Sequence, residues 1–283
     1  MNLDRRPTNY VALSPVSFLV RAARVYGPRV AVIHGARRYT YAQFLERSRR
    51  LASALARAGI VKGDAVAIMA PNIPEMLEAH NAVPMLGAVL CSINTRLDAA
   101  AVAFILAHSE AKAVLIDREL SPVMARALAQ TGRKLLVVDI DDAEAAGGER
   151  IGSVDYEAFI AGGDPAFPVV LPDDEWQAIA LNYTSGTTGN PKGVVYSHRS
   201  TWLHAAAASM ANSIGLTEDD KILPIVPMFH ANAWGLPYSG WMCGADFLMP
   251  DRYMQAERIG RMIATERPTV SAAVPTQSLR PSS

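Results

Sequence analysis

The sequence predicts an α/β protein made of two parallel-sheet units. Three observations carry that expectation. Between residues 65 and 138, short strands that are apolar throughout alternate with helices, the pattern of a parallel sheet covered on both faces. Residues 141–172 break the rhythm with a stretch rich in Gly, Asp, Ala and Pro. A second alternation then begins, and its first strand runs straight into a Ser/Thr/Gly-rich turn. Ligands of open parallel sheets bind at the carboxyl ends of strands, so that turn is the first place to look for a site. The expected partition is 1–140 for the first unit with its N-terminal helix and hairpin, 141–172 for a linker, and 173–283 for the second unit.

Each element has a local reason. Ser14-Pro15 predicts a helix start, with serine at the N-cap and proline in the first turn, and Gly27-Pro28 stops that helix after Tyr26. Residues 30–34 and 38–41 predict a short hairpin across Gly35. Thr40 and Gln43 have capping-box spacing ahead of a long helix ending near Gly59. Strands follow at 65–69, 88–92, 113–116 and 135–138, with helices at 74–86, 99–108 and 122–130 between them. In the second unit, strands are expected at 178–183, 222–226, 245–249 and 269–274. Helices are expected at 200–214, 234–242 and 254–266. No internal repeat or low-complexity tract interrupts either unit.

Composition narrows the function. The 283 residues include 27 basic and 27 acidic side chains, and half of all residues are hydrophobic. A zero formal charge gives no electrostatic case for nucleic acid or an anionic membrane surface. No apolar run reaches the ~18–20 residues of a membrane span. The Arg5-Arg6 pair precedes a stretch broken by Ser14, Pro15 and Ser17, which makes a poor signal peptide. Cys91 and Cys243 each sit in an apolar stretch, as buried thiols rather than a bridge or a metal pair. A cytoplasmic protein is expected.

The string Tyr183-Thr184-Ser185-Gly186-Thr187-Thr188-Gly189-Asn190-Pro191-Lys192-Gly193 is the most informative in the chain. Glycines let backbone N–H groups approach an anion closely, and successive N–H groups form an anion-binding concavity. The hydroxyls add donors, and Lys192 adds a compact positive charge. This chemistry suits a polyphosphate, although the spacing is not that of a Walker A loop. The competing reading is a plain polar surface loop.

The string resembles the phosphate-binding signature of the adenylate-forming superfamily, which holds acyl-CoA synthetases, luciferases and peptide-synthetase adenylation domains. Val194-Val195-Tyr196-Ser197-His198-Arg199 continues the likeness. The segment Pro227-Met228-Phe229-His230-Ala231-Asn232-Ala233-Trp234-Gly235-Leu236-Pro237-Tyr238 resembles the next motif in its fatty acyl-CoA synthetase form. Ala272-Ala273-Val274-Pro275-Thr276 is similar to the strand and turn leading towards the acyl pocket. The likeness covers about Tyr10 to Thr276.

The resemblance implies two stacked parallel-sheet subdomains of an acyl-CoA synthetase N-terminal domain, the second incomplete and the C-terminal lid domain absent. It implies ATP, Mg²⁺ and CoA, a fatty acid as the carboxylic substrate, and an acyl-adenylate intermediate. It assigns Thr184 to Mg²⁺, and Ser185, Gly186, Thr187, Thr188 and Gly189 to the β- and γ-phosphates. Lys192 would hold that loop or the leaving pyrophosphate. His230 would lie beside the acyl and adenylate pocket, and the Trp234 indole would gate the acyl tunnel. Without the resemblance, His230 is a satisfied core histidine and Trp234 a core indole. The remaining histidines, His34, His80, His108, His198 and His204, lack metal-ligand spacing, with only a loose match for His34 and His80.

The family's Tyr-Gly-x-Thr-Glu segment, ribose aspartate, hinge and late lysine have no counterpart up to Ser283. The expectation is therefore a truncated ligase, inactive by itself, with a homodimer allowed. The alternatives are a non-catalytic remnant that binds a partner, or an adenylation domain for another carboxylic acid. An amino-acid activator is disfavoured because no aspartate for the α-amino group follows the His230–Trp234 segment.

Overall fold

The computed structural model describes residues 4–184, 190–252 and 254–273. Helix α1 (Val16–Tyr26) leads into a hairpin of β1 (Val30–His34) and β2 (Arg37–Thr40), and α2 (Tyr41–Arg57) follows at once. Strands β3 (Ala65–Met69), β4 (Val89–Ser92), β5 (Ala113–Asp117) and β6 (Leu136–Ile140) come next, separated by α3 (Pro74–Met85), α4 (Ala99–His108) and α5 (Ser121–Thr131). A short β7 (Val154–Asp155) and α6 (Tyr156–Ala161) precede a second hairpin, β8 (Ala178–Thr184) and β9 (Lys192–Ser197). After α7 (His198–Ser209) the chain forms β10 (Lys221–Pro224), α8 (Ala231–Trp234), α9 (Leu236–Cys243) and β11 (Asp246–Leu248). Helix α10 (Ala256–Glu266) and β12 (Val270–Ala272) complete the described elements.

Among the described residues the strands form two sheets. One runs β7-β6-β5-β3-β4-β8-β9 and is parallel except for the β8–β9 hairpin. The other runs β12-β10-β11-β1-β2 and is parallel except for the β1–β2 hairpin. Both sheets draw strands from either side of the 141–172 segment, so sheet membership does not follow the expected partition at 140 and 173. The reason is burial. Strand β4 is apolar and needs a neighbour on its far side, which β8 supplies with Ala180 opposite Leu90. Strand β1 is buried over Ala31–His34 and gains a parallel partner in β11, with Val32 opposite Phe247.

The segment expected to be a linker is tied into the fold. Asp139 accepts hydrogen bonds from the backbone of Ile151 and Gly152, at 3.0 and 2.7 Å. A Cβ on Gly152 would lie 2.3 Å from the Val137 carbonyl oxygen, so only glycine fits that approach. Asp155 caps α6 at Ala158 N, and the buried Tyr156 hydroxyl donates to Glu78 at 2.5 Å. Arg47 pairs with both Glu78 and Glu157 and so ties α2 to α3 and α6.

Two local expectations meet different outcomes. The capping box at Thr40 and Gln43 forms as its spacing requires. Helix α1 starts at Val16, one residue later than a Ser14 N-cap implies; the buried Ser14 hydroxyl accepts from Val16 N at 3.3 Å and also meets His198 Nδ1 at 2.8 Å, tying the N-terminal segment to α7. Cys91 is buried, Cys243 is half-buried, and both are free thiols. No helix among the described residues is long and apolar enough to cross a membrane.

The sheets meet where their strands end. Asn72, just past β3, is 2% exposed. Its amide nitrogen donates to the carbonyls of Pro224 and Val226 at 2.7 and 3.0 Å, and its Oδ1 accepts from Met228 N at 2.8 Å. One side chain thus fixes the exit from β10. Replacing it strands three buried backbone groups, each costing more than a lost bond in water. Asn72→Ala should lower unfolding free energy by at least ~1–3 kcal/mol. Urea denaturation measures this, and a change under about 0.5 kcal/mol, the usual surface-substitution scale, would contradict it.

Candidate functional site

Thr184 closes β8 and Lys192 opens β9, and the two are directly paired across the hairpin. Both are exposed. The expected phosphate residues Ser185, Gly186, Thr187, Thr188 and Gly189 lie outside the described residues, between these two. The base of the hairpin is firmly held. Tyr183 pairs with Gly193, where a Cβ would crowd Leu181 and the Tyr183 ring at 3.0 and 3.4 Å. The Tyr183 hydroxyl meets His108 Nδ1 at 2.7 Å, and His108 stacks on Phe104 with ring centroids 5.2 Å apart. Burial pushes the Tyr183 phenol up to about 12, so it stays a neutral donor.

The second motif enters from Asn72. Its histidine, His230, is exposed rather than set among apolar side chains, and its backbone N–H bonds the Pro227 carbonyl at 3.0 Å. Residues Ala231, Asn232, Ala233 and Trp234 all have positive φ, between 45° and 57°, a left-handed turn made without glycine. Three contacts hold it. Asn182 of β8 donates to Asn232 Oδ1 at 3.1 Å, His204 of α7 meets the Trp234 carbonyl at 2.9 Å, and Gly235 N bonds the Asn232 carbonyl at 2.9 Å. Gly235 cannot be replaced cheaply, since a Cβ there would sit 2.5 Å from the His204 ring. The helix expected at 234–242 therefore starts only at Leu236, as α9.

The turn lifts Trp234 to 39% exposure on the wall of a cavity of about 470 Å³. Tyr196 of β9, Ser200, Thr201 and His204 of α7, and Tyr238 of α9 line it as well. Strand β9 thus carries Lys192 at one end and a cavity residue four positions on, roughly 13 Å away at strand rise. Trp234, Lys192 and Thr184 share one structural unit through this strand. His230 opens the turn that carries Trp234.

A second concentration of polar groups lies where β1, β6 and β11 end. His34, Asp142 and Asp251 are buried and offer ligand atoms within 4.8 Å of one another. The set is nevertheless closed to a cation. Arg37 points its guanidinium at His34 Nδ1, 2.7 Å away, and a guanidinium only donates. Nδ1 is therefore the acceptor, and Nε2 carries the hydrogen that faces Asp251 Oδ2 at 3.4 Å. Arg252 meanwhile occupies Asp142 at 2.7 Å and Asp117 at 2.9 Å. The sequence alone did not reveal this cluster or Asn72, because their partners lie more than 100 residues away and leave no local spacing.

Comparison with known proteins follows the same outline. The profile of the AMP-binding enzyme family matches residues 19–279. The peroxisomal acetate/butyrate–CoA ligase of Arabidopsis thaliana is 42% identical over 290 residues, covering 97% of this chain and 50% of the relative. The long-chain-fatty-acid–CoA ligase of Thermus thermophilus is 40% identical over 265 residues, covering 92% of this chain and 47% of the relative. An anthranilate–CoA ligase crystallised with anthranoyl-AMP has the same fold, at a TM-score of 0.86 and 23% identity over 96% of this chain and 52% of its own. The chain spans about half the length of the curated relatives it matches.

Two buried histidines flank the site. Burial lowers His80 and His198 to about 4, whereas an unfolded histidine titrates near ~6.5. Below pH 6.5 the unfolded chain binds protons that the native chain refuses, so this stability is full above 6.5 and lost as pH falls towards 4. Glu78 works the other way, because burial raises its carboxyl and its contribution fades as pH rises through the folded value. The net expectation is a loss of up to about 1.4 kcal/mol per pH unit from 6.5 to 5.5. Glu78→Gln should steepen that slope. Urea unfolding across this window measures both, and stability that rises on acidification in the variant would contradict the assignment.

Proposed function

Because the chain belongs to the AMP-binding enzyme family, we propose that it provides the phosphate hairpin and the acyl cavity of an AMP-forming acid–CoA ligase. In that reaction a carboxylate oxygen attacks the α-phosphorus of ATP, giving an acyl-adenylate and pyrophosphate. The CoA sulfur then attacks the acyl carbon and AMP leaves. The chemistry needs charge neutralisation and alignment more than a strong base. Lys192 supplies a fixed positive charge for the loop or the leaving pyrophosphate. Thr184 offers its hydroxyl to Mg²⁺, a hard cation that takes oxygen ligands and keeps several waters. Ser185, Gly186, Thr187, Thr188 and Gly189 supply the donors to the β- and γ-phosphates.

The observation that carries this reading is the pairing of Thr184 with Lys192 on a hairpin whose second strand also lines the cavity. His230 immediately precedes the turn that carries Trp234 to the cavity wall. The lining by Tyr196, Ala231, Trp234 and Tyr238 favours an apolar acyl group. The names of the relatives run from acetate to long-chain fatty acids, so family alone does not set chain length. A soluble protein acting on small molecules, with no nucleic-acid partner, completes the reading.

Calorimetric titration of the chain with ATP·Mg²⁺ tests it. Hydrogen bonds to charged groups contribute ~1.5–3 kcal/mol, so Lys192→Ala and Thr184→Ala should each weaken binding at least tenfold while leaving the melting temperature unchanged. Equal ATP affinity in all three proteins would remove the hairpin from the function. Trp234→Ala should alter affinity for fatty acids and not for ATP. A variant that only melts earlier would restore the core-indole reading.

A further inference from the structure

Tyr238 is 3% exposed, yet its hydroxyl has no hydrogen-bond partner among the described residues. Buried polar groups are rarely left this way, and each one normally has a protein, water or ligand partner. The nearest aromatic neighbour does not answer it. The His80 ring lies with its centroid 6.1 Å from that of Tyr238; its Nδ1 donates to the Met76 carbonyl at 2.8 Å, and its Nε2, like the phenol, has no partner among the described residues. Tyr238 also lines the 470 Å³ cavity, beside Ser200, Thr201 and Trp234. The ring is rigidly placed. It sits in the first turn of α9, directly after the left-handed turn and Gly235, and its neighbours Leu236 and Trp241 are fully buried. The phenol is thus a preorganised donor without a partner among the described residues, in a wall that also carries Ser200, Thr201 and His204.

We propose that the acid accepted by this cavity carries a hydrogen-bond acceptor along its chain, an ether, keto or hydroxyl oxygen, to which the Tyr238 hydroxyl donates. The inference rests on the reading of the cavity as the acyl site and narrows its substrate class from plain alkyl acids to oxygenated ones. A neutral hydrogen bond to a buried phenol discriminates by about tenfold rather than by orders of magnitude. A plain alkyl acid of the same length binds, but leaves the phenol unpaired.

An oxygen scan tests the inference. Octanoic acid and its analogues, with each chain methylene in turn replaced by an ether oxygen, are titrated against the whole chain and its Tyr238→Phe variant. The expected result is one oxygen position that binds the unaltered protein about tenfold tighter than octanoate, an advantage that vanishes in Tyr238→Phe. The variant should melt at the same or a higher temperature, because it loses only an unpaired buried hydroxyl. No gain at any position, or a gain that persists in Tyr238→Phe, overturns the inference and leaves the acyl reading standing, with a trapped water as the phenol's partner. Failure of every acid to bind overturns the acyl reading and the inference together.

Discussion

A single guanidinium, that of Arg252, sets one sheet against the other. It leaves the end of β11 and reaches Asp117 at the end of β5 at 2.9 Å, Asp142 just past β6 at 2.7 Å and Asp251 at 3.1 Å, with Glu119 also in contact. Arg37 of β2 adds a second bridge, to Glu75 of α3 at 2.6 Å and to Asp142 at 3.5 Å. Asp117, Asp142, Asp251 and Glu75 are all buried. Burial pushes the Asp117 carboxyl up even against Arg252. Such pairs do not make a fold more stable than an apolar core would, but losing one partner costs ~3–5 kcal/mol because it leaves a buried charge unmatched. The network therefore penalises any docking of the sheets that separates these partners.

That docking positions everything at the site. With the sheets fixed, Asn72 of one reaches the exit of β10 in the other, and the chain from Pro227 onward starts from a defined place. The left-handed turn that follows costs roughly 1–2 kcal/mol for each of its residues. Its two side-chain hydrogen bonds, from Asn182 and His204, contribute only about 1 kcal/mol each. Burial of Ala233, Leu236, Tyr238 and Trp241 must supply the rest. The strain is thus held by packing against β8, the first strand of the hairpin, and α7, the helix that follows its second.

The legible parts of the sequence were those whose cause is local. The capping box at Thr40, the alternation from Ala65 onward and the strand that ends at Thr184 all depend on neighbours within a few residues, whereas β9, which pairs with that strand, was not expected. What stayed hidden depends on distant partners. Nothing near Ser14 indicates His198, nothing near Asn72 indicates Met228, and nothing in residues 141–172 announces that Asp139 and Glu78 hold them down. Strand order followed the same rule, since β8 joins β4 because of burial and not sequence proximity. At the proposed site, residue type and resemblance singled out Thr184, Lys192 and Trp234. The left-handed turn was not, because Ala231-Asn232-Ala233-Trp234 contains no glycine to mark it.

The central claim is that the hairpin and the cavity form one site for a molecule that spans them. Equilibrium binding of a non-hydrolysable acyl-adenylate analogue to the chain, set beside AMP and the free fatty acid, tests it most directly. The account predicts a single saturable site at which the analogue binds far tighter than either half, because one ligand engages both ends of β9. An analogue that binds no tighter than AMP, or that binds alongside a saturating fatty acid without competition, would contradict it.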